Sequence, residues 1–343
     1  TPTPTPTPAP TPRPAATPAP VATPAPTPAP VVRTPTPTPA PTPAATPTPP
    51  PKKVTLKASH FVATTHGHHL TILKFKEGVE ARTNGGITVE VFPSESLVKG
   101  RDMLEGVAKG IADMGVIAFS YWPGDFPFSA DASLLPFAWG WNSVVSVSKA
   151  AQPFFNQELN RFNQKYLLPT VINTDWMMKK PLDVENPSFK GLKLRSIGGT
   201  YDKVIETLGG APTTIPSAEI PSAIRTGVIE GFTTSFQSYV GFDLAKDAPY
   251  VYVTNGFLFI GNVWSINNDF FNSLPAEWQK IVVEEAEKAS TWLFTESQRL
   301  DDEAIAKAEA KGSKIIRLTA PQQKIWRDKL QPVFDGLLKK HGK

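Results

Sequence analysis

The sequence contains no cysteine among its 343 residues, which excludes disulfide bonds, thiol catalysis and cysteine-ligated metals. It also lacks any apolar run that approaches the roughly 18 residues of a membrane-spanning helix. It opens with neither a methionine nor a secretory signal sequence, so we expect a processed or trimmed chain. None of these absences fixes the compartment.

The sequence also has no large excess of charges of one sign. The 35 Lys and Arg residues against 31 Asp and Glu leave a formal net charge of only +4, with the two signs interspersed. A nucleic-acid-binding surface is therefore not predicted. The motifs GxSxG, GxxxxGKS/T and GxGxxG are absent, although a catalytic triad assembled from distant positions stays open.

The first 51 residues hold 22 of the 37 prolines, and only Arg13 and Arg33 are charged there. This segment has no Leu, Ile or aromatic residue to bury, so it cannot offset the entropy of ordering. We predict a disordered Pro/Thr-rich linker in the polyproline II conformation, which at about 3.1 Å per residue reaches roughly 150 Å. Residues 52–343 are left for two lobes with cores of their own.

Strand and helix patterns alternate at the start of the folded part. We predict strands over 54–59, 87–92 and 111–118, separated by a helix that ends near Arg82 and a short helix over 101–109. This order predicts an α/β protein with mixed sheets flanked by helices. A helix over 142–166 and a strand over 169–178 follow, and strands within 250–267 cross back between the lobes, which implies a hinge.

A long helix is predicted from Pro275 to Gly312, because a proline opens it and apolar residues recur along it at helical spacing. At about 1.5 Å per residue it is roughly 55 Å long, more than one lobe needs. A coiled-coil arm is the weaker alternative, since no apolar heptad with flanking charges is sustained. A strand over 313–318 and a helix over 321–340 complete the lobes.

The stretch from Gly191 to Gly231 contains the main candidate site. Leucines alternate with basic residues over 192–195, so a strand there buries the leucines and holds Arg195 on its other face, partly exposed. Two glycines then allow a tight turn into a helix over 201–208. Arg195 thus sits near the carboxyl end of a strand, where open α/β sheets bind ligands, and its guanidinium matches a carboxylate. A surface salt bridge is the alternative.

The motifs GLKLR (191–195) and IPSAEIPSAIRTGVIEG (215–231) resemble the signature of the solute-binding subunits of TRAP transporters, the DctP-like family. Further segments fit the same family, namely SHFV (59–62), TNGGITVEVFPSESL (83–97), RDMLEGVAKGIADMG (101–115) and LLPFAW (134–139). The resemblance extends across most of 53–342. It implies a two-lobed periplasmic-binding-protein-like fold with a long helix spanning both lobes. We place lobe I at roughly 52–173 plus 255–270 and lobe II at roughly 174–254.

The resemblance also implies ligand contacts. The arginine that matches Arg195 holds the carboxylate of the solute in this family, and His60 stands at a position that faces solute. Trp176 replaces the second arginine of some relatives, and Thr234 replaces an asparagine or another polar residue. These departures favour a solute with one acid group and an apolar or aromatic body. Lys180, beside the strand, either adds positive potential or is plain surface.

For two sets of residues the sequence allows more than one interpretation. Several aromatic side chains either line the solute pocket or belong to the core: Phe119, Tyr121, Trp122, Phe236 and Tyr239. Four of the five histidines lie within ten residues, His60 to His69, and invite a metal site. No HExxH spacing or cysteine accompanies them. We therefore favour a cleft loop followed by exposed histidines at a helix start, without a metal or other cofactor.

These observations predict an extracytoplasmic solute receptor that binds a small organic acid between its lobes and performs no chemistry on it. By resemblance, its partners are the small and large membrane subunits of a TRAP transporter. The Pro/Thr-rich segment suggests a tether to a lipid-modified cysteine that is absent from this chain, or a secreted linker once joined to another module. An exported α/β enzyme acting on a carboxylate and a ligand-sensing ectodomain are the alternatives.

Overall fold

A computed structural model describes residues 53–132, 141–254 and 258–342 of the chain. The predictions made for the Pro/Thr-rich segment and for the LLPFAW motif lie outside these residues. The described part folds into two mixed sheets flanked by helices, as the sequence predicted. None of its helices combines the length and the apolar character that crossing a membrane requires.

The first sheet starts with β1 (Val54–Ser59) and β2 (Ile87–Phe92), which pair in parallel around α1 (Gly67–Arg82). Both strands have the predicted bounds, because apolar and polar residues alternate along β2 and Gly85, at φ 69°, makes the turn before it. β1 also pairs in parallel with β3 (Met114–Ile117), which follows α2 (Met103–Ala108).

Two long antiparallel strands complete the first sheet. β9 (Leu258–Asn267) pairs with β3 and with β4 (Gln164–Met178), which follows the helices α3 (Pro127–Ala132) and α4 (Trp141–Asn160). The predicted helix over 142–166 therefore ends six residues early. Asn163 adopts φ 54°, and the Gln164 side chain donates to the main-chain oxygen of Leu104 at 2.7 Å, which fixes the start of β4.

The second sheet shares β4 with the first. The last residues of β4 pair with β7 (Gly231–Thr234) and β8 (Tyr250–Val253), and β7 pairs with β5 (Lys193–Ser196). β5 pairs with β6 (Ala211–Thr214), and β8 pairs with β10 (Lys314–Arg317). The helices α5 (Thr200–Thr207), α6 (Ile220–Arg225) and α7 (Phe236–Gly241) connect these strands.

Apolar cores lie on both faces of each sheet. In the second sheet, Trp176 and Met178 pack with α5, whereas Met177 between them packs with α6 and α7. This alternation is the period-2 geometry of a strand that is buried on both sides. One core also contains the last helix, α10 (Ala320–His341), through residues such as Trp326.

The long helix α9 (Ala276–Ala310), which follows α8 (Asn268–Ser273), joins the two halves. At about 1.5 Å per residue its 35 residues span roughly 52 Å. Its first part buries Trp278 and Val282 against the first sheet, and its last part buries Ile305 and Ala308 against the second. The predicted lobe-spanning helix is thus confirmed as an element that packs on both sheets.

Candidate functional site

The candidate site is a narrow cavity of about 30 Å³ where β4 passes from one sheet to the other. Up to Thr174 this strand pairs with β9, and from Asp175 onward it pairs with β7 and β8. Both sheets therefore contribute to the walls. Side chains from the first half, the shared strands and the second half line it: Phe61, Val62, His66, Ala118, Ser120, Tyr121, Ile172, Thr174, Asn262, Arg195, Ile197, Ser217, Thr234 and Ser235.

Arg195 projects into this cavity from the end of β5. Its Nε donates to the main-chain oxygen of Ile215 at 2.8 Å, and its Nη1 donates to that of Thr233 at 2.7 Å. The side chain is only 2 % exposed, so the expectation of a partly exposed arginine is corrected: the neighbouring strand and the loop after β6 cover it. Burial lowers its pKa, which the nearby Tyr121 opposes. Even so, a guanidinium stays charged at neutral pH.

The charge of Arg195 has no acidic counterpart in the described part of the chain, where no carboxylate oxygen lies within 4.0 Å of it. A guanidinium has five N–H donors, of which the two carbonyl groups use two. Neutral carbonyls fix the orientation of the group and leave its charge uncompensated. Such a buried charge is costly unless an anion pairs with it.

Two further predicted residues join Arg195 in the lining. Tyr121 is buried on the opposite wall, and burial raises the pKa of its hydroxyl. The guanidinium carbon of Arg101 lies 5.6 Å from its ring centre, close enough for a cation–π contact. Thr234, at the end of β7, is 5 % exposed and also faces the cavity. These three residues, from three separate elements, meet at one place.

The structure puts the other predicted aromatic residues into the cores. Trp176 is fully buried between the rings of Phe189 and Tyr201, at centroid distances of 4.7 and 5.4 Å. Phe119 packs on Phe126 and Phe155.

The remaining aromatic candidates also lie outside the lining. Phe236 belongs to the core beside α7, Trp122 packs against the first-sheet cores, and the Tyr239 hydroxyl bonds the main-chain oxygen of Ala248 at 3.0 Å. Lys180 is exposed and lines a separate surface depression together with Asp183 and Glu230.

The histidine cluster is buried, contrary to the expectation of exposed side chains at a helix start. His60, His66 and His68 are each at most 1 % exposed, because the loop before α1 packs against the core of the first sheet through residues such as Phe61. His60 Nδ1 accepts the amide hydrogen of Val62 at 3.3 Å, and His60 Nε2 lies 2.9 Å from His69 Nδ1. His60 itself does not line the cavity, whereas the next two residues, Phe61 and Val62, do.

Burial lowers the pKa of both His60 and His66 to about 3, so these imidazoles are neutral at physiological pH. Over the residues that the structure describes, no three His, Asp or Glu side chains form a group that could hold a metal ion. His60 and His66 therefore act as neutral hydrogen-bonding groups within the protein.

A buried carboxyl lies just behind the cavity on β4. Asp175 accepts hydrogen bonds from the Thr254 amide at 2.9 Å and from the Thr254 hydroxyl, and Asn173 Nδ2 lies 3.3 Å away. Desolvation raises its pKa to about 7. The pKa of Asp301 on α9 is also raised, by burial first and then by Asp175. Asp301 accepts a hydrogen bond from Gln237 Nε2 at 2.7 Å, which connects the long helix to α7.

Sequence reasoning missed several lining residues. Two of them precede helices: His66 caps α1 by accepting the amide hydrogen of His68, and Ser235 caps α7 by accepting that of Ser238. A polar residue directly before an apolar-periodic run is the signal that would have found both. Asn262 and Thr174 lie inside strands, and no local pattern distinguishes them from core positions.

The chain is similar to known proteins over most of its length. The family model described as "Bacterial extracellular solute-binding protein, family 7" (DctP) matches residues 58–341. A solute-binding protein of Albidiferax ferrireducens is 25 % identical over 271 residues, which cover 75 % of this chain and 77 % of the relative. The C4-dicarboxylate-binding periplasmic protein DctP of Rhodobacter capsulatus is 24 % identical over 310 residues, which cover 84 % of this chain and 88 % of the relative.

Solved structures show the same fold. An extracytoplasmic solute receptor of Bordetella pertussis that binds pyroglutamic acid superimposes with a TM-score of 0.78 at 21 % sequence identity, covering 84 % of this chain and 96 % of that one. At this identity the likeness establishes the architecture alone.

Proposed function

The chain belongs to family 7 of the bacterial extracellular solute-binding proteins and is an extracytoplasmic solute receptor, and we propose that it captures a small organic acid in the cavity around Arg195. Arg195 holds one carboxylate, and the rest of the solute lies between the two halves of the molecule. The solute then leaves chemically unchanged.

One observation carries this proposal, the uncompensated charge of Arg195. Its guanidinium is almost completely buried, is oriented by two neutral carbonyl groups and faces a cavity. A carboxylate offers the missing charge and pairs with the remaining donors in a charge-assisted way. Arg195 is the only charged side chain in the described lining, which favours a solute with a single clamped carboxylate.

The remaining lining defines the body of the solute. Phe61, Val62, Ile172 and Ile197 supply apolar surface, and hydroxyl groups such as those of Ser120 and Ser217 supply polar contacts. The apolar contact that the sequence assigned to Trp176 comes instead from these residues. At about 30 Å³ the cavity is narrow, so we expect the two halves to separate in order to admit the acid. The Bordetella receptor's solute, pyroglutamic acid, has one carboxylate on a small ring and fits this description.

We further propose that the two halves close around the solute as lobes, with the bounds predicted from the sequence. Contacts across the cavity support this division. Arg101 Nη2 donates to the main-chain oxygen of Thr214 at 3.0 Å, and the Thr65 hydroxyl donates to that of Gln237 at 2.9 Å. The strand crossing near Asp175 and the helix α9 would absorb the rotation.

A binding assay combined with product analysis tests the proposal. The purified protein is incubated with pyroglutamate, malate, succinate and related acids, its melting temperature is measured, and the acids are recovered for mass spectrometry. A raised melting temperature with unchanged acid is the expected result. Turnover of any acid would favour an exported α/β enzyme, and the absence of any shift across the panel would contradict the proposed role of the cavity.

The finer assignments follow from the family. As partners we propose the small and large membrane subunits of a TRAP transporter, to which the closed receptor delivers its solute. We also propose that the Pro/Thr-rich segment over 1–51 serves as a spacer to a lipid anchor. Its composition supports this role, because Pro-rich chains form extended, semi-rigid spacers. Co-purification with the membrane subunits, and membrane fractionation of the native protein, would test the two assignments.

A further inference from the structure

His66 occupies a special position in the cavity wall, because it caps the helix α1 and also lines the cavity. Its backbone is extended, at φ −75° and ψ 146°, and its Nδ1 accepts the amide hydrogen of His68 at 3.0 Å. A nitrogen that accepts a hydrogen bond carries no proton. The single proton of the neutral ring is therefore on Nε2.

The ring stays neutral over the physiological pH range. His66 is 1 % exposed, and burial lowers its pKa to about 3, with His60 and His69 acting in the same direction. The cap adds to this preference, because a second proton on Nδ1 would break the bond to His68. His66 is thus a fixed N–H donor without charge and cannot replace a second arginine.

The neighbouring histidines His60 and His69 do not act as N–H donors in the cavity wall. His60 turns Nδ1 to the amide of Val62 and Nε2 to His69, and neither of these two histidines is part of the described lining. For His66 the described residues show a bond at Nδ1 and none at Nε2. Since buried donors are normally satisfied, Nε2–H is suited to a group that enters the cavity.

We propose that His66 is a specificity-determining residue, which donates its Nε2–H to an uncharged oxygen on the body of the solute while Arg195 holds the carboxylate. The preferred solutes are then carboxylates that also bear a carbonyl or hydroxyl oxygen. Plain alkyl or cycloalkyl carboxylates bind less well. This inference rests on the proposed function, since a solute must first occupy the cavity.

Matched acids and matched variants test it. Calorimetry compares pyroglutamate with cyclopentanecarboxylate, which lacks the ring oxygen, and malate with succinate, which lacks the hydroxyl. In His66→Asn the side-chain oxygen keeps the helix cap, because Asn is among the preferred capping residues. The Asn side chain is shorter, so its Nδ2 donor ends short of the place that the imidazole Nε2–H occupies. His69→Asn is the control, a histidine of the same helix outside the lining.

We expect the unmodified protein to bind the oxygen-bearing acid of a pair with about tenfold higher affinity than the acid that lacks the oxygen. This difference corresponds to one neutral hydrogen bond. This preference should fall to about twofold or less in His66→Asn and persist in His69→Asn. An equal preference in His66→Asn and the unmodified protein overturns the inference while leaving the receptor function intact. If no acid of either pair binds the unmodified protein, the proposed function fails and this inference with it.

Nitrogen NMR of histidine-labelled protein gives a second readout that does not depend on the variant folding. The His66 ring should show a protonated Nε2 and an unprotonated Nδ1 at pH 5 to 8, and the Nε2–H resonance should shift when the oxygen-bearing acid is added. A doubly protonated ring, or a proton on Nδ1, would refute the inference directly.

Discussion

The guanidinium of Arg195 donates Nη1–H to the main-chain oxygen of Thr233 at 2.7 Å, so β7 holds the arginine of the neighbouring strand β5 in one orientation. The main-chain oxygen of Ile215 fixes Nε from the other side. A charged group whose orientation is set by backbone atoms loses little conformational entropy on binding. Arg195 is therefore oriented for a carboxylate before the solute arrives.

Replacing Arg195 by Met should remove the rise in melting temperature that an organic acid produces, with an affinity loss of about 100-fold or more, because a buried charge-assisted pair is lost. Arg195→Lys keeps the charge but not the planar fork, and we expect about tenfold weaker binding. Calorimetry measures both.

The control for Arg195 is Arg225→Met, which removes an exposed arginine that pairs with Asp247 at 2.9 Å. Its acid affinity should be unchanged. Tight binding of the same acid by Arg195→Met would rule out the clamp.

Gly198 and Gly191 form a natural pair of positions for testing closure. Both have positive φ, 88° and 79°. A Cβ at Gly198 would lie 2.7 Å from the main-chain oxygen of Ser120 on the opposite wall, whereas a Cβ at Gly191 would meet nothing within 4 Å. Alanine at either position should cost about 1 kcal/mol of stability, because an L side chain disfavours this backbone.

Only Gly198→Ala should also weaken acid binding, by about tenfold, because the added methyl group pushes the walls of the cavity apart. Small-angle X-ray scattering with bound acid should then show a larger radius of gyration than for Gly191→Ala. Equal affinities for the two variants would mean that this contact does not limit closure.

The sequence predicted local elements well where a short pattern determines them. β1 and β2 were placed residue by residue, and Arg195 was correctly assigned to the strand face opposite the buried Leu194. The site was harder. Trp176 and Thr174 lie on the same face of one strand by periodicity, yet only Thr174 lines the cavity. Beyond the crossing the strand has new neighbours, Thr233 and Tyr252, and this face is covered by α5.

The histidines also show that local sequence does not determine which side chains are buried. A His-rich loop before a helix is polar and looks exposed, but no local pattern shows that the loop packs against the core of the first sheet. Burial turns these side chains into neutral hydrogen-bonding groups. Only the three-dimensional packing determines that change.

The buried carboxyl group of Asp175 should make the stability of the protein depend on pH. Its pKa is raised by burial from the ordinary 3.8 to about 7. Between these values the folded protein holds a proton that the unfolded chain has released, so the free energy of unfolding falls as the pH rises from about 4 to 7. Asp175→Asn removes this contribution, which amounts to at most about 1.4 kcal/mol per pH unit.

The measurement is urea unfolding of Asp175→Asn and the unmodified protein at several pH values, and the difference between them isolates this group. The free energy of unfolding of Asp175→Asn, relative to that of the unmodified protein, should increase as the pH rises to 7. Asp243→Asn, at an exposed aspartate paired with Lys311, should show no such trend. A flat difference for Asp175→Asn would show that Asp175 is ionised in the folded protein throughout.

Replacing His68 by an apolar residue should stabilise the protein. Its ring is fully buried near the start of α1, and neither ring nitrogen has a hydrogen-bond partner among the described residues. Replacing an unsatisfied polar group by an apolar one of similar size relieves its desolvation cost, so His68→Leu should raise the free energy of unfolding by about 1–2 kcal/mol at pH 7.

The advantage of His68→Leu should grow as the pH falls below about 6.5. Burial, together with His66 and His60, lowers the pKa of His68 well below its ordinary value, so in acid the unfolded chain takes up a proton that the folded protein refuses. The matched control is His69→Leu, which removes the acceptor 2.9 Å from His60 Nε2 and should lower stability at pH 7. Since both variants place leucine on the same helix, a similar effect of the two would mean that hydrogen bonding does not distinguish the two rings.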